Sequence, residues 1–164
     1  HCSNYLSLFL INLLYKDRFD VLIEDIGGGM GWFFLYLNKL RFTKFHLVDN
    51  FSQLSKEAAD DFINNNYLPC RVNDESLNPV ISSNVGVPSI LVRKLNPELE
   101  LICFYTNRAL EESAKTYLAE NYVFLCRDSD DLAVAYCRKD KYEEFSNKLL
   151  SYKTDRIVEN DKIL

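Results

Sequence analysis

The feature that most narrows the fold is a strand-like run that ends on a cluster of glycines. Asp20-Val21-Leu22-Ile23-Glu24-Asp25-Ile26 reads as a strand, Gly27-Gly28-Gly29-Met30-Gly31 follows at once, and a helical stretch runs from Trp32 to about Leu40. Glycines let a backbone turn sharply and approach a ligand with no Cβ in the way. A strand, a glycine turn and a helix in that order open a crossover to a second, parallel strand. Lys44-Phe45-His46-Leu47-Val48-Asp49 supplies that strand.

The alternation continues along the chain. Ser52 is placed to open a helix reaching about Asn64, and the Asn64-Asn65-Asn66 run stops it. Pro69-Cys70-Arg71-Val72-Asn73 reads as a short third strand. The next 24 residues, 75 to 98, are punctuated by Pro79, Gly86, Pro88 and Pro97. A fourth strand is expected there at Ile90-Leu91-Val92; otherwise the strong strand Leu99–Tyr105 is itself the fourth. Ala109 to Asn121 reads as a helix with Leu110, Ala114, Tyr117 and Leu118 on one face. Tyr122–Cys126 and Leu132–Cys137 flank the turn Asp128-Ser129-Asp130-Asp131 as a hairpin, and Tyr142 to Tyr152 is a polar helix.

Ahead of all this lies Tyr5–Leu14, the most apolar stretch. Ser7 and Asn12 interrupt it, and it falls short of the ~18 apolar residues of a membrane span. No basic segment or small-residue cleavage site accompanies it, so it reads as a buried helix and not as a membrane or signal segment. The expected fold is α/β: a mostly parallel sheet, helices on both faces, and a C-terminal antiparallel hairpin at its edge. One domain is expected over residues 1–152, followed by a charged, flexible tail over 153–164.

The 164 residues suit a single domain, and 19 Lys+Arg against 24 Asp+Glu give a net charge of −5. That balance disfavours nucleic acid and anionic membrane as partners. The five cysteines (Cys2, Cys70, Cys103, Cys126, Cys137) are odd in number and form no CxxC pair, and only His1 and His46 accompany them. No metal site or disulfide framework is expected, and the thiols point to a reducing, cytoplasmic setting. The start at His1 rather than Met fits an excised piece. Nothing in the composition speaks to oligomeric state.

The sharpest chemical signal is Asp25-Ile26-Gly27-Gly28-Gly29-Met30-Gly31, of the form acid-x-Gly-x-Gly-x-Gly. A dinucleotide fingerprint would need its third glycine at position 32, where Trp32 stands, so an NAD-dependent dehydrogenase ranks low. With Gly31 instead, the pattern resembles the first motif of the class I S-adenosylmethionine-dependent methyltransferases. The resemblance implies a Rossmann-like fold and S-adenosylmethionine as cofactor, with the glycine loop under its methionine and ribose portions. Eighteen residues beyond Gly31, Asp49 stands in Leu47-Val48-Asp49-Asn50. A carboxylate there can accept both ribose hydroxyls, as the family's acid does. Asp74 in Val72-Asn73-Asp74 corresponds to an acid beside the adenine amino group.

The implied cofactor-binding set is therefore Asp25, Gly27, Gly28, Gly29, Gly31, Asp49, Asn50 and Asp74. The resemblance covers roughly Asp20 to Asp74 well and the rest more loosely. Ile26-Gly27-Gly28-Gly29-x-Gly31, behind the apolar helix, is similar to the sugar O-methyltransferases, whose loop reads E-I-G-G-G-x-G. That implies O-methylation of a small or carbohydrate substrate. The residues also have plainer readings: Asp49 as a helix cap or solvated strand end, Asp74 as a turn residue, His46 as a packed or partly exposed strand residue, Trp32 and Phe33 as helix packing. Glu111-Glu112 reads as a solvated helix start. No side chain is singled out as a catalytic base, and the pared-down substrate side leaves a non-catalytic binding or scaffold module as the alternative.

Overall fold

The structure is a computed structural model that describes residues 2–27, 32–49, 57, 70–92, 95–130, 132–152 and 157–158. At its centre lies β1 (Leu22–Ile26), with parallel partners on both sides. β2 (Lys44–Val48) pairs so that Leu22 faces Lys44 and Ile26 faces Val48; β4 (Ile81–Asn84) pairs so that Ile23 faces Ile81. β3 (Cys70–Val72) flanks β2, and β5 (Leu101–Tyr105) flanks β4. β6 (Tyr122–Asp128) and β7 (Ala133–Arg138) form the expected hairpin. The order across the sheet is β3-β2-β1-β4-β5-β7-β6, extended by the two-residue β8 (Ile157–Val158). β8, which lies within the segment expected to be a tail, pairs with the end of β6.

β7 runs antiparallel to both β5 and β6, so the first six strands share one direction. The antiparallel hairpin lies at the C-terminal side of the sheet as expected, with β7 as its inner strand. The crossover after β5 leaves one strand's width beside it, and the tight turn at Ser129–Asp130 folds β7 back into that gap.

The sheet separates two apolar layers. On one side α1 (Cys2–Leu14), α2 (Trp32–Lys39) and α5 (Tyr142–Leu150) bury Leu10, Phe33 and Phe145 against Ile23, Phe45 and Ala135. On the other, α3 (Val87–Leu91) and α4 (Arg108–Leu118) bury Ile90 and Leu118 against Ile102, Phe104 and Tyr136. The expected helix over Tyr5–Leu14 is present and buried, although Tyr5 and Asn12 face solvent. The expected helix from Ser52 to Asn64 lies outside the described residues, apart from residue 57, which is helical.

The fourth strand is neither of the two expected. It is Ile81–Asn84, and Ile90 belongs to α3. The reason is that Ser82, Ser83 and Asn84 are wholly buried yet polar, so hydropathy does not reveal a strand. Each has a partner: Ser83 Oγ donates to Asn4 Oδ1 at 2.7 Å, Ser82 Oγ to Glu24 Oε1 at 2.9 Å, and Asn84 Nδ2 to the Cys103 carbonyl at 3.2 Å. Buried polar groups are tolerated when so satisfied.

Cys103, Cys126 and Cys137 are buried and not in disulfides among the described residues, and burial pushes the Cys103 and Cys137 thiols up to about 12. They are packing residues and poor nucleophiles. No helix among the described residues is long and apolar enough to cross a membrane.

Candidate functional site at the carboxyl ends of the strands

In open sheets of this kind ligands bind where the parallel strands end. Three of the sequence-predicted residues are brought there by β1, β2 and β3. Gly27 is the point where β1 leaves the sheet. Its amide donates to the Val48 carbonyl at 2.6 Å, while the Val85 amide donates to the Ile26 carbonyl at 3.1 Å. Its φ of +77° suits glycine alone, and an added Cβ would sit 2.6 Å from Val85 Cγ1. The chain therefore turns between β2 and the exit of β4 through a gap that admits no side chain. Gly28, Gly29, Gly31 and Asn50 lie outside the described residues.

Asp25 is wholly buried beneath this turn. Burial pushes its carboxyl up to about 7; the Asn4 amide, 3.5 Å away, opposes the shift, and the negative charges of Asp49 and Glu24 add to it. Asn4 belongs to a polar chain that links α1 to β4, since Ser7 Oγ donates to Ser83 Oγ at 2.8 Å and Ser83 in turn donates to Asn4. Asp25 thus ties the first helix to the strand that carries the glycine turn.

Asp49 sits half-buried at the end of β2. A residue missed in the sequence holds it there. Asn73 Oδ1 accepts from the Asp49 amide at 3.0 Å and Asn73 Nδ2 donates to the Asp49 carbonyl at 2.9 Å. Asn73 adopts φ of +48°, a conformation that asparagine tolerates better than most residues. An asparagine directly before a strand-end acid was the available signal, but nothing local says that its amide reaches across to another strand.

The Asp74 carboxylate is engaged inside its own turn. Oδ1 accepts from the Ser76 amide at 3.1 Å and Ser76 Oγ at 2.6 Å, and Oδ2 pairs with Arg71. The Ser76 hydrogen bonds hold this carboxyl below the ordinary range, with Arg71 and His46 contributing. The Asp74 amide donates to His46 Nε2 at 2.9 Å, and His46 Nδ1 lies 3.1 Å from Glu24 Oε2. His46 is thus the packed strand residue expected, with both ring nitrogens engaged. Phe33 packs into the core as expected, and half-buried Trp32 packs against that core while its ring also meets Tyr5 and Tyr36, with centroids 5.8 and 5.7 Å away.

The substrate side is sparse. β4 ends on Asn84, whose amide is committed to Ser82 Oγ and the Cys103 carbonyl, and Val85-Gly86 follows before the five-residue α3. No group of three or more His, Cys, Asp or Glu side chains that could hold a metal ion occurs among the described residues.

No family model and no curated protein matches this sequence. Solved structures do match in fold. The ribosomal protein L11 methylase of Lactobacillus delbrueckii subsp. bulgaricus is 15% identical with a TM-score of 0.54, over 82% of this chain and 78% of that one. Precorrin-6y C5,15-methyltransferase of Geobacter metallireducens is 12% identical with a TM-score of 0.52, over 83% and 87%. The T. thermophilus 16S rRNA N2 G1207 methyltransferase, solved with AdoMet and guanosine, is 14% identical with a TM-score of 0.59, over 85% of this chain and 43% of that one.

These methyltransferases share the Rossmann-like fold of this chain, a mostly parallel sheet with antiparallel pairing at its C-terminal strands. At these identities the likeness is one of fold, and fold alone does not carry an acceptor with it. One expectation is overturned. Acidic charge was taken to disfavour nucleic acid as a partner, yet the T. thermophilus neighbour is an rRNA methyltransferase on the same fold. Net charge governs long-range attraction and does not decide what a cleft accepts. None of the three neighbours is named for a sugar substrate.

Proposed function

We propose that this protein binds S-adenosylmethionine at the carboxyl ends of β1 and β2 and transfers its methyl group to an acceptor. One observation carries the reading: the Gly27 turn and the Asn73-braced Asp49 end adjacent parallel strands at the same level of the sheet, with Val48 bonded to Gly27. The donor set fits the cofactor. Asp49 would accept the ribose hydroxyls, Gly27 would let the chain leave β1 towards the cofactor with no Cβ in the way, and Asp25 would hold that turn from the core side. When bound, the cofactor supplies an electrophilic methyl group, so the protein's main tasks are alignment and exclusion of water.

The acceptor is proposed only as a nucleophile that reaches the end of β4. The glycine loop's likeness to the sugar O-methyltransferases favours a hydroxyl, but the substrates named for the structural neighbours lend it no support. A second reading, a cofactor-binding module without catalysis, is favoured by the committed Asn84 amide and the short α3 on the acceptor side. The first test is thermal: S-adenosylhomocysteine should raise the melting temperature through binding to the folded state, and Asp49→Ala should remove the shift. No shift in folded wild-type protein would sink the cofactor reading. Labelled methyl transfer to a panel of RNA, protein and sugar acceptors then separates the two readings, since the module predicts binding with no transfer to any of them.

A further inference from the structure

A glutamate and a histidine buried side by side in a parallel sheet need a reason. Interior strands normally carry apolar residues there, and a well-packed apolar pair is often no less stable than a buried polar one. Glu24 and His46 are register partners on β1 and β2, 4% and 3% exposed. Their hydrogen bonds have a fixed direction. A backbone amide can only donate, so the Asp74 N–H makes His46 Nε2 an acceptor. The ring proton then sits on Nδ1 and is donated to Glu24 Oε2. Asn84 Nδ2 donates to Ser82 Oγ at 3.2 Å, and Ser82 Oγ donates to Glu24 Oε1 at 2.9 Å.

The set of bonds crosses from β4 through β1 and β2 and finishes on the turn after β3. There it meets the brace on Asp49. Asn73 and Asp74 are consecutive: the amide of one is held by His46, and the side chain of the other holds the Asp49 backbone. Among the described residues, the further charged neighbours of this path are Arg71, in register with His46 and paired with Asp74, and Asp25, next to Glu24 on β1 and electrostatically coupled to it.

We propose that His46 is a positioning residue for the cofactor site, which fixes the 73–74 turn and through Asn73 sets where Asp49 presents its carboxylate. This rests on the reading of Asp49 as the ribose acceptor. Glu24 fixes the ring's tautomer and orientation, and His46 itself touches no ligand.

The test is titration of each full-length variant with S-adenosylhomocysteine, well below every variant's melting temperature. His46→Leu fills the space with an apolar side chain and removes the acceptor; its affinity should fall about tenfold, in the range of one lost positioning contact. His46→Gln has a carbonyl for the Asp74 amide and an amide for Glu24, so it should return to within about threefold of wild type. Asn73→Gly keeps the left-handed backbone, disturbs no core residue, and should match His46→Leu. A purely structural role predicts lower melting temperatures with unchanged affinity in both His46→Leu and Asn73→Gly, and that result overturns the proposal. So does a His46→Gln variant as weak as His46→Leu. If His46→Leu fails to fold, Asn73→Gly decides alone. Wild-type protein that binds no S-adenosylhomocysteine would instead remove the cofactor reading, and this proposal with it.

Discussion

At Asp25 the environment of one side chain has a measurable consequence for stability. An aspartate in an unfolded chain titrates near 3.9, whereas burial raises this one to about 7. The folded state therefore holds the proton more tightly, so this group's stabilising contribution is full below about pH 4 and is lost as pH rises towards 7. Asp25→Asn is neutral throughout and should remove that dependence. Between about pH 4 and pH 8, wild-type stability should fall relative to the variant by an amount on the order of 4 kcal/mol. Urea unfolding of both proteins across that range measures it. Parallel pH profiles would mean that Asp25 stays ionised in the folded protein.

Asp49 and Asp74 show that two strand-end acids with the same sequence appearance can differ. The Asp74 oxygens are used by Ser76 and Arg71, while the backbone of Asp49 is braced from outside by Asn73. The residue types were legible, because a carboxylate after a parallel strand is a candidate by position. Which oxygen is already engaged depends on side chains two residues, three residues or a whole strand away.

At the scale of elements, α4 departs most from its sequence pattern. The expected apolar face of Leu110, Ala114, Tyr117 and Leu118 is rotated: Glu111, Ala114 and Leu118 are buried, while Leu110 and Tyr117 are exposed. Glu111 was expected to be solvated at the helix start. Instead its Oε1 takes the Arg127 guanidinium at 2.8 Å and the Tyr136 hydroxyl at 3.4 Å, and Oε2 has no hydrogen bond among the described residues. The helix therefore turns one charged side chain inward to meet a charge on β6, a choice that no periodicity within α4 could disclose. Arg127 also stacks over the Phe124 ring, 5.0 Å from its centroid.

Removing one partner from such a pair strands the other in the interior. Arg127→Leu should destabilise by about 3–5 kcal/mol, whereas adding Glu111→Met to it should recover much of the loss. Chemical denaturation of the single and double variants checks this, and a single variant as stable as wild type would place Glu111 in contact with water. The Asn107 cap, whose side chain accepts from the Leu110 amide at 3.0 Å, fixes where α4 begins whatever happens to that pair.

Over the whole molecule, the first and last helices share one core. α1 packs on β4, β5 and β7 and against α5, and the Tyr15 and Phe145 rings meet edge-on at 5.6 Å. Neither half of the chain can bury its apolar residues without the other. Denaturation should accordingly give one transition, coincident by far-ultraviolet circular dichroism and by fluorescence of Trp32. Non-coincident curves would mean that α1 and α2 unfold apart from the strands they cover.

The sequence alone determined the strands and helices from β1 to β2 and from β5 onward to α5, the glycine exit from β1, the acid at the end of β2 and the hairpin that reverses β7. These are encoded within a few residues, by apolar runs, by glycine's freedom at positive φ and by tight-turn chemistry. Tertiary structure decided that the polar run Ile81-Ser82-Ser83-Asn84 is a central strand, that Glu111 points inward and that Asn73 braces Asp49. Each depends on a hydrogen-bond partner distant in sequence: Asn4, Glu24 and Cys103 for the strand, Arg127 for Glu111, Asp49 for Asn73. Local pattern reports where a segment can bury apolar surface. It cannot report where a polar group finds its partner, because that partner exists only once the chain has folded.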